Sequence, residues 1–334
     1  MKLSFLLPCV CAALLSACVP MRIVVAPAPA VATPAQSAAA TRAGVDAAML
    51  ATILNKQIYQ MTPVEAGRYI AYVHEAEPDF RRRVAAIGRK NIGQPYSLNL
   101  LGEFPYEVHD DLPLFSLTHG DCIVFAEHSY AMAMSRSWEE FFWVLQNIRY
   151  KNGVIGVATR NHYTETDWNV SNRWLVTDIS AQLAGAGAGG YDMKVDRATF
   201  LKSRHKTVSD AAVELSRQSY VPRDMVGAIV DQLDNGDFVN VISTANGEYW
   251  ASHAGLVVVG ADGTRNFLNS GEPVAHEESF DAFIARTLER EQRYAAQGKK
   301  GKKLAGFKFL RLNEAPQVPP MLAQPRPASP LPRP

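Results

Sequence analysis

Cysteine is scarce in this 334-residue chain: there are four, and Cys9, Cys11 and Cys18 all lie within the first eighteen residues. Cys122 is alone in the remainder, which excludes a disulfide framework for the body of the chain. Long apolar runs are missing as well. The run from Phe5 to Ala17 has thirteen residues, whereas a bilayer span needs about 20, and no later segment comes closer. An excess of one charge is absent, since the formal net charge is +1; this removes the electrostatic footprint of a nucleic-acid binder. There is no internal repeat. Closely spaced metal ligands are also lacking: His162, His253 and Cys122 do not have the spacing of a zinc site, so neither a metal nor a cofactor is expected. The basic cluster Lys299-Lys300-Gly301-Lys302-Lys303 is broken by glycine and reads as a solvated loop.

What is there begins with the ends. Met1-Lys2-Leu3 followed by the short apolar run reads as a signal peptide over 1–17. It closes on Leu15-Ser16-Ala17-Cys18, which resembles the lipobox of bacterial lipoproteins. That resemblance implies lipidation of Cys18 and anchoring to a membrane. The absence of an aspartate after it implies the periplasmic face of the outer membrane. Residues 18–44 are rich in Pro, Ala, Val and Ser with few large side chains, and predict an extended tether. At about 3 Å per residue, roughly 25 residues would reach up to about 75 Å. Residues 313–334 carry eight prolines and predict a second disordered tail.

Residues 45–312 form a single expected domain, with a helical extension over 45–92 and a core over 93–312. Apolar spacing predicts a helix from Val45 to Tyr59. Thr62-Pro63-Val64-Glu65 carries a capping box and an N1 proline, and a third helix covers Asp79 to Arg89, with Arg81, Arg82 and Arg83 on its wet side. Asp121 caps a helix whose first turn contains Cys122, and Ser137 opens another. Strands are expected at Gly236–Ile242, His253–Val259, Thr264–Asn269 and Gly306–Leu312, with Gly260-Ala261-Asp262-Gly263 turning a hairpin. Helices first and antiparallel strands afterwards indicate an α+β fold, with the cysteine helix packed on a sheet. Residues 150–220 are the least legible.

An unpaired cysteine in an exported chain is either a small core hydrophobe or a reactive group. At a helix N-terminus the unsatisfied N–H groups favour a thiolate and lower the thiol pKa, and they can also hold an oxyanion. Cys122 has that location. Of the histidines, His74 and His205 sit in charged surface stretches, while His253 opens an apolar strand and is the expected proton carrier. Asn269 lies on the next strand of the hairpin, where it can orient the imidazole.

Cysteine on a helix, histidine on a strand and a polar residue on the next strand together resemble the NlpC-type branch of papain-like cysteine hydrolases, which act on bacterial cell-wall peptides. Gly93-Gln94-Pro95-Tyr96 and Asp121-Cys122 are similar to that superfamily's motifs. More narrowly, several segments resemble the N-acetylmuramoyl-L-alanine amidase-like family. They are Asn99–Glu103, Asp121–Glu127, Ile148–Gly153, Arg160-Asn161-His162-Tyr163, Asp167-Trp168 and His253-Ala254-Gly255. One departure is that many relatives carry histidine where Asn269 stands. The resemblance implies hydrolysis of a peptidoglycan amide, with Cys122 as nucleophile, His253 as base and Asn269 orienting the ring. Tyr96 would line the site, and Arg160, His162 and Asp167 would contact sugar or stem peptide. The favoured bond joins the muramic acid lactyl group to L-alanine. A γ-D-glutamyl-diamino acid endopeptidase, an acyl transferase on the same thiol and a non-catalytic wall-binding lipoprotein remain alternatives.

Overall fold

The computed structural model describes residues 31–107 and 110–325. The expected signal peptide, Cys18 and the first part of the tether lie outside these residues. The tether's last part departs from expectation, because Pro34–Arg42 is a helix, α1. Thr33 accepts from the Gln36 N–H while the Gln36 side chain accepts from the Thr33 N–H, and Pro34 sits in the first turn. Ala39 and Ala40 are buried, and Arg42 pairs with Glu75 at 3.1 Å. A lack of large side chains argued for an extended segment. Alanine, however, is the best helix former, and its small side chain lets one backbone approach another.

The capping box expected in the helical extension is fulfilled, and two further aspartates act as caps beside it. α2 (Ala47–Asn55) is capped by Asp46, α3 (Pro63–Ala76) by the Thr62/Glu65 capping box and α4 (Phe80–Arg89) by Asp79. The three arginines of α4 do not share a wet face. Arg83 is buried, its Nε donating to Ala133 O at 2.7 Å and its Nη1 to Glu77 O at 2.7 Å. Successive helical residues point about 100° apart, so a run of three cannot occupy one side.

α5 (Cys122–Met134) and α6 (Trp138–Arg149) follow. α5 is apolar nearly all round, which requires that it be enclosed, and the sheet encloses it. The strands are β1 (Val176–Asp178), β2 (Gly189–Val195), β3 (Glu214–Pro222), β4 (Phe238–Ala245), β5 (Glu248–Val259), β6 (Arg265–Ser270), β7 (Ala275–Ser279) and β8 (Lys303–Leu312). They run antiparallel in the order β2-β3-β8-β4-β5-β6-β7, with β1 paired to β8. α7 (Asn169–Ser171) precedes β1, and between the strands lie α8 (Ser180–Ala184), α9 (Arg197–His205), α10 (Val226–Ile229) and α11 (Phe280–Ala296). The α+β class with an antiparallel sheet is thus observed.

The sheet is covered on both faces, which is why its central strands alternate between two cores. Leu256, Val258 and Leu268 pack with Val84 of α4 and Phe125 of α5. Val257, Phe267 and Phe307 pack with Phe280 and Phe283 of α11. The proline-rich tail departs from expectation over its first residues. Residues 314–325 have no regular structure, but Gln324 donates to Gly153 O at 2.7 Å and accepts from Ile155 N at 3.1 Å. Proline blocks helix and ladder formation; it does not prevent a glutamine between prolines from docking. Among the described residues no helix is long and apolar enough to cross a membrane.

Candidate active site

Asp121 has extended backbone angles and accepts from the N–H groups of Ile123 at 3.0 Å and Val124 at 2.8 Å. This cap places Cys122 in the first turn of α5. The residue before it is anchored on two sides: Gly120 N–H donates to Pro95 O at 3.1 Å, and Ser270 Oγ donates to Gly120 O at 3.1 Å. Tyr96 N–H in turn donates to Pro273 O at 3.0 Å. The Tyr96 segment, the start of α5 and the end of β6 are thereby tied together.

His253 is positioned by an irregularity in β5. Val241 pairs with His253 but Ile242 pairs with Ala251, so Ser252 is an extra residue. Such a bulge bends the strand and re-aims the neighbouring side chain. Ser252 Oγ lies 2.7 Å from Ser243 Oγ. In the hairpin, Leu256 faces Leu268, and the Gly260–Gly263 turn closes it with Gly260 N–H donating to Thr264 O at 2.8 Å. His253 therefore lies on the same sheet face as Asn269, and its Nε2 is 2.9 Å from Asn269 Oδ1. An amide oxygen accepts, so Nε2 carries the proton and Nδ1 is the basic nitrogen. The imidazole lies parallel to Phe283 of α11 at 6.2 Å and edge-on to Phe267 at 6.0 Å.

Gly255 makes this approach possible. A Cβ there would lie 2.6 Å from Leu268 O and 2.9 Å from Asn269 Cβ, so any larger residue would force β6 away from β5.

The sulfur adjoins the strand that carries the imidazole, at Ala254, packs on the α5 side of the sheet and is not on the lining of the cavity beside His253. The backbone N–H groups of Ala254, one residue beyond His253, and of Ile123 face the Cys122 thiol and act to lower its pKa. These donors favour the thiolate, as the helix terminus predicts, but they are outweighed. Burial, followed by the charge of Asp121, pushes the thiol up to about 12. Burial also pulls His253 down to about 4, against the bond from Asn269 and with help from Lys302 and Arg286. The expectation of a pre-formed thiolate is therefore corrected: near pH 7 the pair rests as neutral thiol and neutral imidazole. Desolvation disfavours both charges, and sequence spacing carries no measure of it.

Tyr96 borders the same space. Burial and the nearby Cys122 and Asp121 raise its phenol to about 12, so it remains a donor. Tyr96, His253 and Asn269 line one cavity of about 330 Å³. A larger groove of about 820 Å³ around Glu165, Arg197 and Lys308 contains none of them; convergent chemistry, not volume, identifies the site.

Arg160, His162 and Asp167 do not line the cavity beside His253. Arg160 pairs with Glu103 at 3.0 Å and Asp110 at 2.9 Å. His162 Nε2 is 2.7 Å from Val157 O. Asp167 is held by Lys151 at 2.9 Å and Arg197 at 2.8 Å. Arg160 and Asp167 are thus paired with charges of the neighbouring segments and His162 with a backbone carbonyl, contacts that a linear motif does not reveal. Sequence reading missed the Ser252 bulge and the whole of α11. The bulge leaves no mark in the residues. α11 does: Ser279 caps it, and Phe280, Phe283 and Thr287 recur at helical spacing on its buried side.

With this geometry in place, a family model described as N-acetylmuramoyl-L-alanine amidase-like matches residues 86–292. That range holds Tyr96, Cys122, His253 and Asn269. The chain belongs to the N-acetylmuramoyl-L-alanine amidase-like family. Membership carries amidase-type hydrolysis of peptidoglycan as the family-level reading. No curated protein sequence matches the chain. Among solved structures it is similar to a Legionella pneumophila protein, with a TM-score of 0.61 at 20% identity, covering 78% of this chain and 98% of that one. It is also similar to an N-acetylmuramoyl-L-alanine amidase from Bacteroides uniformis, with a TM-score of 0.53 at 16% identity, covering 70% and 99%. At such identities these likenesses concern the amidase-like fold alone.

Proposed function

We propose that this amidase-like chain is a cysteine-dependent cell-wall hydrolase of the NlpC-type papain-like kind, cutting the bond between the muramic acid lactyl group and L-alanine. The observation that carries the reading is the 2.9 Å bond from His253 Nε2 to Asn269 Oδ1, on the strand whose Ala254 N–H faces the Cys122 sulfur. That bond fixes the tautomer whose Nδ1 can take a proton.

The resting neutral pair dictates the order of events. Substrate enters with its carbonyl carbon at Cys122 Sγ. The thiol proton passes to His253 Nδ1 as sulfur attacks, and the carbonyl oxygen becomes an oxyanion held by the Cys122 backbone N–H. Tyr96, a protonated phenol beside the thiol, supplies a further donor. The imidazolium gives its proton to the leaving amine, the carbon–nitrogen bond breaks, and the thioester remains. Water, deprotonated by the same imidazole, then releases the acid and restores the thiol. The signal peptide and lipidated Cys18 would hold the enzyme on the periplasmic face of the outer membrane, a proposal supported by residues 1–18 of the sequence.

Digestion of sacculi followed by mass spectrometry of the products tests the bond. Free glycan and an intact stem peptide beginning with L-alanine are expected. A stem cut after D-glutamate would replace the amidase by the endopeptidase reading, and no product would leave a wall-binding lipoprotein.

A further inference from the structure

The cavity beside His253 has a cationic wall that the chemistry above does not use. Arg286 and Arg290 stand four residues apart on α11, and Lys302 reaches in from the residues before β8; all three line the cavity with His253 and Asn269. Arg286 is matched, since its Nη2 lies 2.6 Å from Glu278 Oε1 and it rests over the Phe283 ring. Arg290 and Lys302 are different. Neither has an ion-pair or hydrogen-bond partner among the described residues, and burial and then the like charge of Arg290 lower the pKa of Lys302. Glu272 is also on the cavity lining and is paired with neither. Like charges converging on one cavity without a counter-ion repel each other, and solvent at the exposed Lys302 screens only part of that repulsion. They also work against catalysis, because cations beside the imidazole disfavour the imidazolium that must form. Both costs are relieved if an anion occupies the space.

We propose that Arg290 and Lys302 form an anion subsite for a carboxylate of the stem peptide, making them specificity-determining residues for the reaction. This deepens the peptidoglycan reading and rests on it. The stem beyond the scissile L-alanine amide carries free carboxylates at glutamate and at the diamino acid. A carboxylate between a guanidinium and an ammonium gains charge-assisted hydrogen bonds from both. The subsite therefore favours acid stems over stems in which that carboxylate is an amide.

The test uses the Cys122→Ala form of the full chain and three disaccharide-peptide muropeptides. One carries free acids, one is amidated at glutamate and one is amidated at the diamino acid. Calorimetric Kd values should show the free acid binding about tenfold tighter than one of the amidated forms, a difference of about 1.4 kcal/mol. Which amide loses affinity identifies the carboxylate. In Cys122→Ala carrying Arg290→Gln and Lys302→Gln, that ratio should fall to about one. Both positions reach the surface, and equal melting temperatures would confirm an intact fold. Equal affinity for all three ligands, or discrimination that survives the double substitution, would overturn the subsite; turnover of all three by the unaltered enzyme would then leave the hydrolase reading standing. Acid-selective binding through the two cations without any cleavage by the unaltered enzyme would do the reverse. Failure to bind any of the three would remove both.

Discussion

Asn269 Oδ1 and His253 Nε2 meet at 2.9 Å across the β5–β6 hairpin, and this contact decides which imidazole nitrogen can act. The accepting oxygen locks the proton on Nε2 and leaves Nδ1 as the base. The amide adds no charge, so burial is free to hold His253 near 4. An uncharged orienting residue and a neutral resting pair are thus two aspects of one design.

The nucleophile assignment is the simplest to check. Cys122→Ala should abolish release of product from sacculi while moving the melting temperature by no more than about 4 °C. Cys122 is half-buried against the core beside α5, and alanine keeps its Cβ there while removing only the sulfur. Turnover by the variant equal to that of the parent would move the chemistry elsewhere.

Asn269 should separate orientation from charge. Asn269→Ala frees the ring and should lower kcat roughly 100-fold, the scale of a misplacement near 1 Å. Asn269→Asp keeps a hydrogen bond but adds a negative charge, which favours the imidazolium. Its His253 should titrate above about 4, and the acid limb of the kcat/KM profile should shift to higher pH. An acid limb unmoved by the aspartate would show that this limb does not report His253.

Stability should carry the same signature. The folded-state pKa of His253 is depressed from 6.5 to about 4. Its contribution is therefore fully present above 6.5 and is lost as pH falls from 6.5 toward 4, where the unfolded chain binds a proton that the folded one refuses. For a half-buried ring the loss should be on the order of 2 kcal/mol. Urea midpoints at pH 7 and pH 4.5 should separate more for the parent than for His253→Gln. Identical separations would contradict the burial argument.

Gly255 and Gly227 make an opposed pair. Gly255→Ala drives a carbon into Leu268 O and Asn269 Cβ; it should cost about 1–3 kcal/mol and reduce activity by displacing Asn269. Gly227→Ala, in α10, meets nothing within 4 Å and should stabilise by up to about 1 kcal/mol. Chemical denaturation and sacculus digestion of both variants provide the check, and a harmless Gly255→Ala would rule out close strand approach at the site.

Local signals in the residues carried much of the architecture. Thr62, Asp121 and Ser137 each opened a helix where a capping side chain demanded one, because a cap is a contact over three residues. The β5–β6 hairpin was legible from Gly260–Gly263 and alternation, and with it the shared face of His253 and Asn269. β1, β2, β3 and β7 were not legible. β7 (Ala275-His276-Glu277-Glu278-Ser279) has a single buried apolar residue, so its extension is imposed by pairing with β6.

The chain's own order of residues thus determined that one cysteine would begin a helix and that a histidine and an asparagine would face each other from adjoining strands. Tertiary structure alone decided whether that cysteine rests charged, since desolvation depends on what closes over the sulfur and on the carboxylate of Asp121 left beside it. It also decided which charges remain unmatched: Arg160 and Asp167 find partners in segments distant in sequence, while Arg290 and Lys302 converge on the cavity with none among the described residues. Ion pairing and burial are properties of three-dimensional neighbours, and no spacing along the chain encodes them.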